Sequence, residues 1–164
     1  MKGFSPTLFE RLFDDAPHRG DDPAPLRRWS IEELKDSVAR DLESLLNSRC
    51  GLREALLESY PEAARSLASF GMMDFVGMSL ANPADRARIC ATLERTILQH
   101  EPRLKRVHVA LRGDERSVGR LNFAIQAVLY VPPTAEPVGF DAVLQPCTQQ
   151  YSVASSRRTL QAVA

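Results

Sequence analysis

The hydrophobic pattern changes its period once along the chain, at Pro102, and this change restricts the possible folds most. Upstream of it, apolar residues recur every three or four positions, which is the spacing of helices with one buried face. The clearest helix begins at a capping box formed by Ser30 and Glu33. Its apolar positions are Ile31, Leu34, Val38, Leu42, Leu45 and Leu46. Downstream of Pro102, apolar and polar residues alternate, which is the spacing of strands.

The alternating part contains three predicted strands, at 105–111, 120–131 and 138–144. The short segments that separate them, RGDERS and PPTAEP, predict an antiparallel meander. The positions predicted to face inward are Val107, Val109, Leu111, Leu121, Phe123, Ile125, Ala127, Leu129, Val131, Val138, Phe140, Ala142 and Leu144. Because only one face of this sheet is apolar, the upstream helices must cover it. The predicted fold class is therefore α+β, with N-terminal helices packed on one face of a small, mainly antiparallel C-terminal sheet.

Two further helical segments are expected between these parts. Pro61 opens a helix over 61–70, and Gly71 ends it as a left-handed cap. The last helix begins at Asn82 as its N-cap and ends near His100, because the Glu-Pro pair that follows cannot continue it. The polar face of the first helix is expected to be solvated, and its residues are Glu32, Lys35, Asp36, Arg40 and Glu43.

The chain is expected to contain three regions. Residues 1–28 form an N-terminal apolar arm and flexible linker, since SPTLFERLF carries an apolar stripe and the next stretch is rich in proline and charge. The arm either packs on its own domain or docks on a partner. Residues 29–146 form the compact α+β domain. Residues 147–164 form a C-terminal tail in which YSV, at 151–153, adds one short edge strand.

Charge and cysteine content disfavour several functional classes. Lys plus Arg and Asp plus Glu number 21 each, so no net field attracts nucleic acid or an anionic membrane. The apolar runs are too short for a membrane span and the N-terminus lacks a secretory apolar core, so direct membrane insertion is not expected. Three scattered cysteines and three histidines form neither a disulfide framework nor a clustered metal site. We predict reduced thiols in a cytoplasm, no metal and no cofactor.

A charged corner, formed by Glu101, Pro102 and Arg103, joins the last helix to the first strand. A glutamate at a helix C-terminus costs about 0.3–1 kcal/mol in the helix dipole unless a positive group meets it. One interpretation is a local ion pair of Glu101 with Arg103 or Arg106, which contributes little if it is exposed. In the other interpretation, Pro102 rigidly orients an acceptor and a fork-shaped donor toward a partner. The residues alone leave both interpretations open.

The sequence carries no nucleotide-binding loop and no serine-hydrolase motif. A glycosidase acid needs a carboxyl group in a dry, uncharged pocket. Glu101 instead has Arg103, Lys105 and Arg106 close along the chain, and such cations favour its ionised form. We therefore predict that the protein is not an enzyme. The alternatives are a peptidoglycan hydrolase of the lysozyme-like kind and an unrelated small protein-interaction domain.

Several short segments occur in the order found in one protein family. They are SPTLFERLF, SLLNSR at 44–49, SLASFGMMDF at 66–75, EPRL at 101–104, LNFAIQAVL at 121–129 and VGF at 138–140. This order resembles the TssE family of type VI secretion baseplate components and its relatives in the baseplate wedge of contractile-tail phages. The similarity covers about residues 5–145, and EPRL is its sharpest element. The chain departs from the family at Phe70–Asp74, where a tyrosine-glycine-leucine-proline-aspartate run is usual.

The resemblance implies a structural adaptor in the cytoplasm, at a baseplate docked on the inner membrane. It implies the wedge proteins TssF and TssG as partners, with TssK nearby, and initiation of a sheath built from TssB and TssC. In that family the motif found here as Glu101, Pro102 and Arg103 is thought to hold the adaptor against the helical core of the wedge. The small sheet is similar to part of the sheath subunit, whose arms are thought to add strands to it. The family was once labelled lysozyme-like, a label that the residues do not support.

Overall fold

The structure, a computed structural model, describes residues 3–5, 18, 28–52, 54–73, 78–79, 82–112, 120–132 and 134–156. The chain divides into two compact units, Met1–Val38 and Ala39–Ala164, and the boundary lies inside the first helix. Most of the N-terminal arm, residues 74–77 and 80–81, most of the RGDERS turn and the last eight residues of the tail lie outside the described residues. The predicted division after residue 28 therefore stays a prediction.

The first unit contains a backbone bridge and the start of helix α1, Ile31–Asn47. Phe4 and Trp29 pair through two backbone hydrogen bonds, of 2.9 and 2.8 Å. The predicted capping box is confirmed. Ser30 N–H donates to Glu33 Oε2 at 2.8 Å, and Glu33 N–H donates to Ser30 Oγ at 3.2 Å, so two N–H groups of the first turn are satisfied.

Loss of this cap has a measurable expected cost. We expect Ser30→Ala to lower the free energy of unfolding by about 1 kcal/mol, because the Glu33 amide loses its acceptor. Urea denaturation followed by circular dichroism measures the change. Ser44→Ala, an exposed substitution inside α1, is the control and should be neutral or slightly stabilising. Equal stabilities for the two variants would contradict the role of the cap.

A chain of short helices follows α1, and here the sequence-based prediction is partly wrong. The elements are α2 (Glu54–Ser59), α3 (Pro61–Ala64) and a 3₁₀ turn, Leu67–Ser69. Pro61 opens α3 as predicted, but the helix does not continue to residue 70. Ser66 explains this, since its hydroxyl accepts from Ala68 N–H at 3.1 Å and starts the 3₁₀ turn. Gly71 has the positive φ expected of it, +108°, although it follows a 3₁₀ turn.

The last helix, α4, spans Pro83–His100 and begins and ends as predicted. Asn82 Oδ1 accepts from Ala84 N–H at 3.0 Å, and the proline at the first helical position needs no acceptor. The buried positions of α4 are Ile89, Leu93, Thr96 and Ile97. This helix packs along the first strand of the sheet.

Four strands form one antiparallel sheet in the order β1-β2-β3-β4. They are β1 (Leu104–Arg112), β2 (Leu121–Val131), β3 (Thr134–Gln145) and β4 (Gln150–Ser155). All thirteen positions predicted to face inward are buried or half-buried. The other buried apolar residues of the second unit include those of α4 and, in α1, Ala39, Leu42, Leu45 and Leu46. The α+β class is confirmed, and the expected edge strand is present as β4.

Two details of the sheet differ from the prediction. The PPTAEP segment is not all turn, because β3 begins at Thr134 opposite Val131. Pro137 is tolerated there because Gly139, two residues on, directs its carbonyl to Ser156, on the β4 side. The nitrogen of Pro137, which carries no N–H, therefore faces past Ser155, and no described residue of β4 lies opposite it. In β1, a bulge separates Lys105 from His108, and an extra residue lets Leu104 and Val107 both be buried.

Candidate protein-binding site

The charged corner is a tight turn fixed by three backbone hydrogen bonds. Glu101 N–H donates to Ile97 C=O at 2.8 Å and ends α4. Leu104 N–H donates to Glu101 C=O at 3.1 Å, which closes a β-turn with Pro102 in its second position. Arg103 C=O accepts from Tyr130 N–H of β2 at 2.8 Å, one residue beyond the pair Leu104–Leu129 at the end of the β1–β2 ladder. Pro102 is exposed, so the turn projects a rigid apolar tip between helix and strand.

The charges of the corner are paired within the chain. Glu101 is only 5% exposed, and its Oε1 accepts from Arg103 Nε at 2.7 Å and from Arg103 N–H at 3.2 Å. The Nη2 atom of Arg103 donates both to Glu101 Oε2 and to Asp41 Oδ2 of α1. The local ion pair considered from the sequence is therefore present, with Arg103 as the partner. Arg106 lies in the bulge of β1, exposed and with a positive φ of 51°.

The guanidinium of Arg103 is held in its charged form. Burial acts to lower the pKa of Arg103, but the hydrogen bonds and charges of Glu101 and Asp41 outweigh it and raise the pKa above its ordinary value. The side chain keeps 21% of its surface exposed. Its Nη1 atom is buried and has no hydrogen-bond acceptor among the described residues. The corner thus contains one oriented cation whose donors are not all used.

This pairing bears on the hydrolase alternative. A general acid must carry a proton in the resting enzyme, and a carboxyl group does so in an uncharged, dry pocket. Both oxygens of Glu101 are already occupied, because they accept hydrogen bonds from the guanidinium of Arg103. Asp41 contacts the same guanidinium. The geometry therefore suits Glu101 to positioning Arg103 and not to proton donation.

A polar cluster joins the end of α4 to the short helices beside the corner. Gln99 Nε2 donates to Ser69 Oγ at 2.9 Å, and His100 Nε2 lies 3.1 Å from Ser69 C=O. The His100 ring also packs edge-on against Phe70, with ring centroids 5.3 Å apart. The sequence assigned His100 to a helix end but gave no sign of these long-range contacts. They tie the 3₁₀ turn to the residue that precedes Glu101.

His100 should make stability depend on pH. Burial lowers the pKa of His100 below its ordinary value of 6.5, and the Ser69 backbone opposes this only in part. The unfolded chain therefore binds a proton at a higher pH than the native chain. The contribution of neutral His100 to the free energy of unfolding is present above about pH 6.5 and is lost as the pH falls. We expect the loss of melting temperature between about pH 7.5 and about pH 5.5 to be smaller in His100→Gln than in the wild type. Identical losses would contradict this role.

Two acidic residues of α1 were not identified as structural from the sequence. Asp41 meets Arg103, which lies 62 residues further along the chain. Glu43 was assigned to a solvated face, and this is wrong, because its Oε2 accepts from Val153 N–H of β4 at 2.7 Å. Both lie on a helix whose polar positions look equivalent in sequence. Only the folded sheet distinguishes them.

Other kinds of site are not found in the described ranges. Within them, histidine, cysteine, aspartate and glutamate side chains form no group of three that could hold a metal ion. Nor does any helix there combine the length and apolar character that crossing a bilayer demands. Cys50, Cys90 and Cys147 are free thiols.

Comparison with known protein families assigns the chain to a family. The model of the family described as baseplate wedge protein gp25 matches residues 32–134, which cover α1 to the start of β3. The chain therefore belongs to the gp25 family of baseplate wedge proteins. A search of curated proteins finds no match. Membership supports a structural role in a baseplate of the phage-tail type, and it suggests that the protein is not an enzyme.

Proposed function

We propose that the protein is the adaptor of a type VI secretion baseplate, which links the wedge core to the contractile sheath and helps to initiate sheath assembly. The family match supports the baseplate part of this function. The order of motifs, with EPRL at the junction of α4 and β1, supports the secretion system in particular. The proposed partners are TssF, TssG and TssK on the wedge side, and TssB and TssC on the sheath side. The proposed location is the cytoplasm, at a baseplate docked on the inner membrane.

The observation that carries the wedge contact is the state of Arg103. Two carboxylates hold its guanidinium, and 21% of the side chain stays exposed to a partner. A donor that is already oriented loses little side-chain entropy when a partner's carbonyl or carboxylate meets it. Pro102 stands exposed beside it on a turn with a restricted backbone.

The three motif residues have different tasks in this proposal. Arg103 supplies the hydrogen bonds to the wedge, and Pro102 supplies a rigid contact surface. Glu101 is too buried to face a partner and acts through Arg103, whose orientation it sets. A local ion pair and a docking site are therefore compatible, because the pair is what orients the docking residue.

Co-purification tests the adaptor function. The tagged full chain, expressed with TssF, TssG, TssK and the sheath proteins, should retain the wedge proteins on the column. Cells that lack the gene should fail to assemble sheaths that contain fluorescent TssB. Absence of wedge proteins from the eluate, together with normal sheaths in the deletion strain, would contradict the proposal.

A further inference from the structure

The outer edge of β4 is occupied by two side chains of α1. Tyr151 N–H donates to Asn47 Oδ1 at 2.8 Å, and Asn47 Nδ2 donates to Tyr151 C=O at 2.9 Å. One carboxamide thus makes both hydrogen bonds that a residue of an adjacent antiparallel strand would make. Two residues further on, Val153 N–H donates to Glu43 Oε2 at 2.7 Å. Together, Glu43 and Asn47 form an edge cap that replaces a missing strand.

The opposite edge, β1, is closed in a different way. Helix α4 packs along it, and Glu94 Oε1 accepts from Val109 N–H at 2.7 Å. The bulge between Lys105 and His108 interrupts the register, and a bulged edge is a poor template for a further strand. β4 pairs with β3 without any register shift, from Gln150 to Ser155. Of the two edges, β4 is therefore the one whose backbone could guide a regular new strand.

The two side chains of the edge cap can leave β4 without creating a buried, unpaired charge. Asn47 is exposed and Glu43 is half-buried, so both polar groups can return to water when their partners on β4 are taken. The N–H groups of Tyr151 and Val153 would then bond to carbonyls of the incoming strand, which keeps them satisfied. Exchange of three hydrogen bonds for equivalent ones makes the closed and open edges similar in energy.

We propose that Glu43 and Asn47 are a removable edge cap that keeps β4 closed in the free protein and yields to an extended segment of a sheath protein. This inference rests on the proposed function, because the sheath is taken as the source of the strand. A closed edge prevents pairing with other chains before assembly. Strand addition must then compete with the cap, so the cap sets how readily the first sheath subunits join.

Binding to the purified TssB–TssC complex, measured by biolayer interferometry with the full chain immobilised, tests the edge cap. The double variant Glu43→Ala with Asn47→Ala should bind about tenfold more tightly than the wild type, since three competing hydrogen bonds are removed. Glu43→Gln keeps an acceptor for Val153 N–H and should bind like the wild type. Glu94→Ala, which removes the acceptor of Val109 N–H at β1 instead, should leave the affinity unchanged.

Hydrogen exchange on the same samples verifies that the edge has opened in a folded protein. In the double variant, the amides of Tyr151 and Val153 should exchange faster, while the amides between β2 and β3 stay protected. Unchanged or weaker sheath binding by a folded double variant would overturn the cap and leave the adaptor function intact. Tighter binding by Glu94→Ala would place the acceptor at β1 and overturn the proposal. If neither the wild type nor any variant binds the sheath complex, the proposed sheath contact and the edge cap are both wrong.

Discussion

Arg103→Ala is expected to lower the free energy of unfolding by about 3 kcal/mol, because it leaves the Glu101 carboxylate buried without its counter-ion. Glu101 is 5% exposed, so water cannot replace the guanidinium at both oxygens. The turn also loses a clamp, since Glu101 and Arg103 are joined by three hydrogen bonds across Pro102. In a chain of this size, the melting temperature should fall by roughly 10 °C. Thermal and urea denaturation followed by circular dichroism measure both quantities.

Two variants separate the lost ion pair from a general loss of charge. Arg103→Lys keeps a cation near Glu101 and should cost clearly less than the alanine variant. Lys105→Ala removes an exposed positive charge two residues away and should change stability by no more than about 0.5 kcal/mol. Equal stabilities of Arg103→Ala and Lys105→Ala would show that the ion pair of Glu101 and Arg103 does not stabilise the fold.

Gly71→Ala is expected to destabilise the protein by about 3 kcal/mol or more, for reasons of backbone geometry. Gly71 has a φ of +108°, where an L side chain is strained. A Cβ atom there would also lie 2.7 Å from the carbonyl carbon and oxygen of Ser48. These are backbone atoms, so no side-chain rotation relieves the clash. The same Ser48 carbonyl accepts from Met72 N–H at 2.8 Å, and that bridge would have to open.

Gly51→Ala is the matched control for this prediction. Gly51 follows Cys50, whose N–H donates to Met72 C=O at 3.0 Å, and a Cβ atom built on Gly51 meets no atom within 4 Å. We expect it to be neutral or slightly stabilising, since alanine restricts the unfolded chain. Equal urea midpoints for the two alanine variants would show that the close approach at Gly71 is not required.

The sequence predicted those parts of the fold that depend on local pattern. Alternation identified the inward side of β2 fully, because each strand residue faces opposite to its neighbour. The same rule missed the bulge in β1, since alternation from Val107 onward looks regular and only pairing with β2 shows the extra residue. It also missed the start of β3, where the prolines suggested a turn. The sequence does not show that the nitrogen of Pro137 points past the end of β4.

In the candidate site, too, the sequence predicted only the residues that local arguments can identify. Glu101, Pro102 and Arg103 are adjacent in sequence, so dipole and proline arguments could pick them out. The contribution of Asp41 could not be predicted, because it depends on how α1 passes the corner. The edge cap was hidden for the same reason, since an asparagine at a helix end has many ordinary roles. Residues that act through tertiary contacts carry no local signal.

The most direct test of the adaptor function is the affinity of Arg103→Lys for the purified TssF–TssG wedge complex. Lysine can still pair with Glu101, but it lacks the planar fork of donors with which the partly exposed guanidinium can meet a partner. We predict that this variant stays folded and loses wedge binding by about tenfold or more, while Lys105→Ala binds normally. Wild-type affinity in a folded Arg103→Lys protein would contradict the claim that this arginine docks the chain on the wedge.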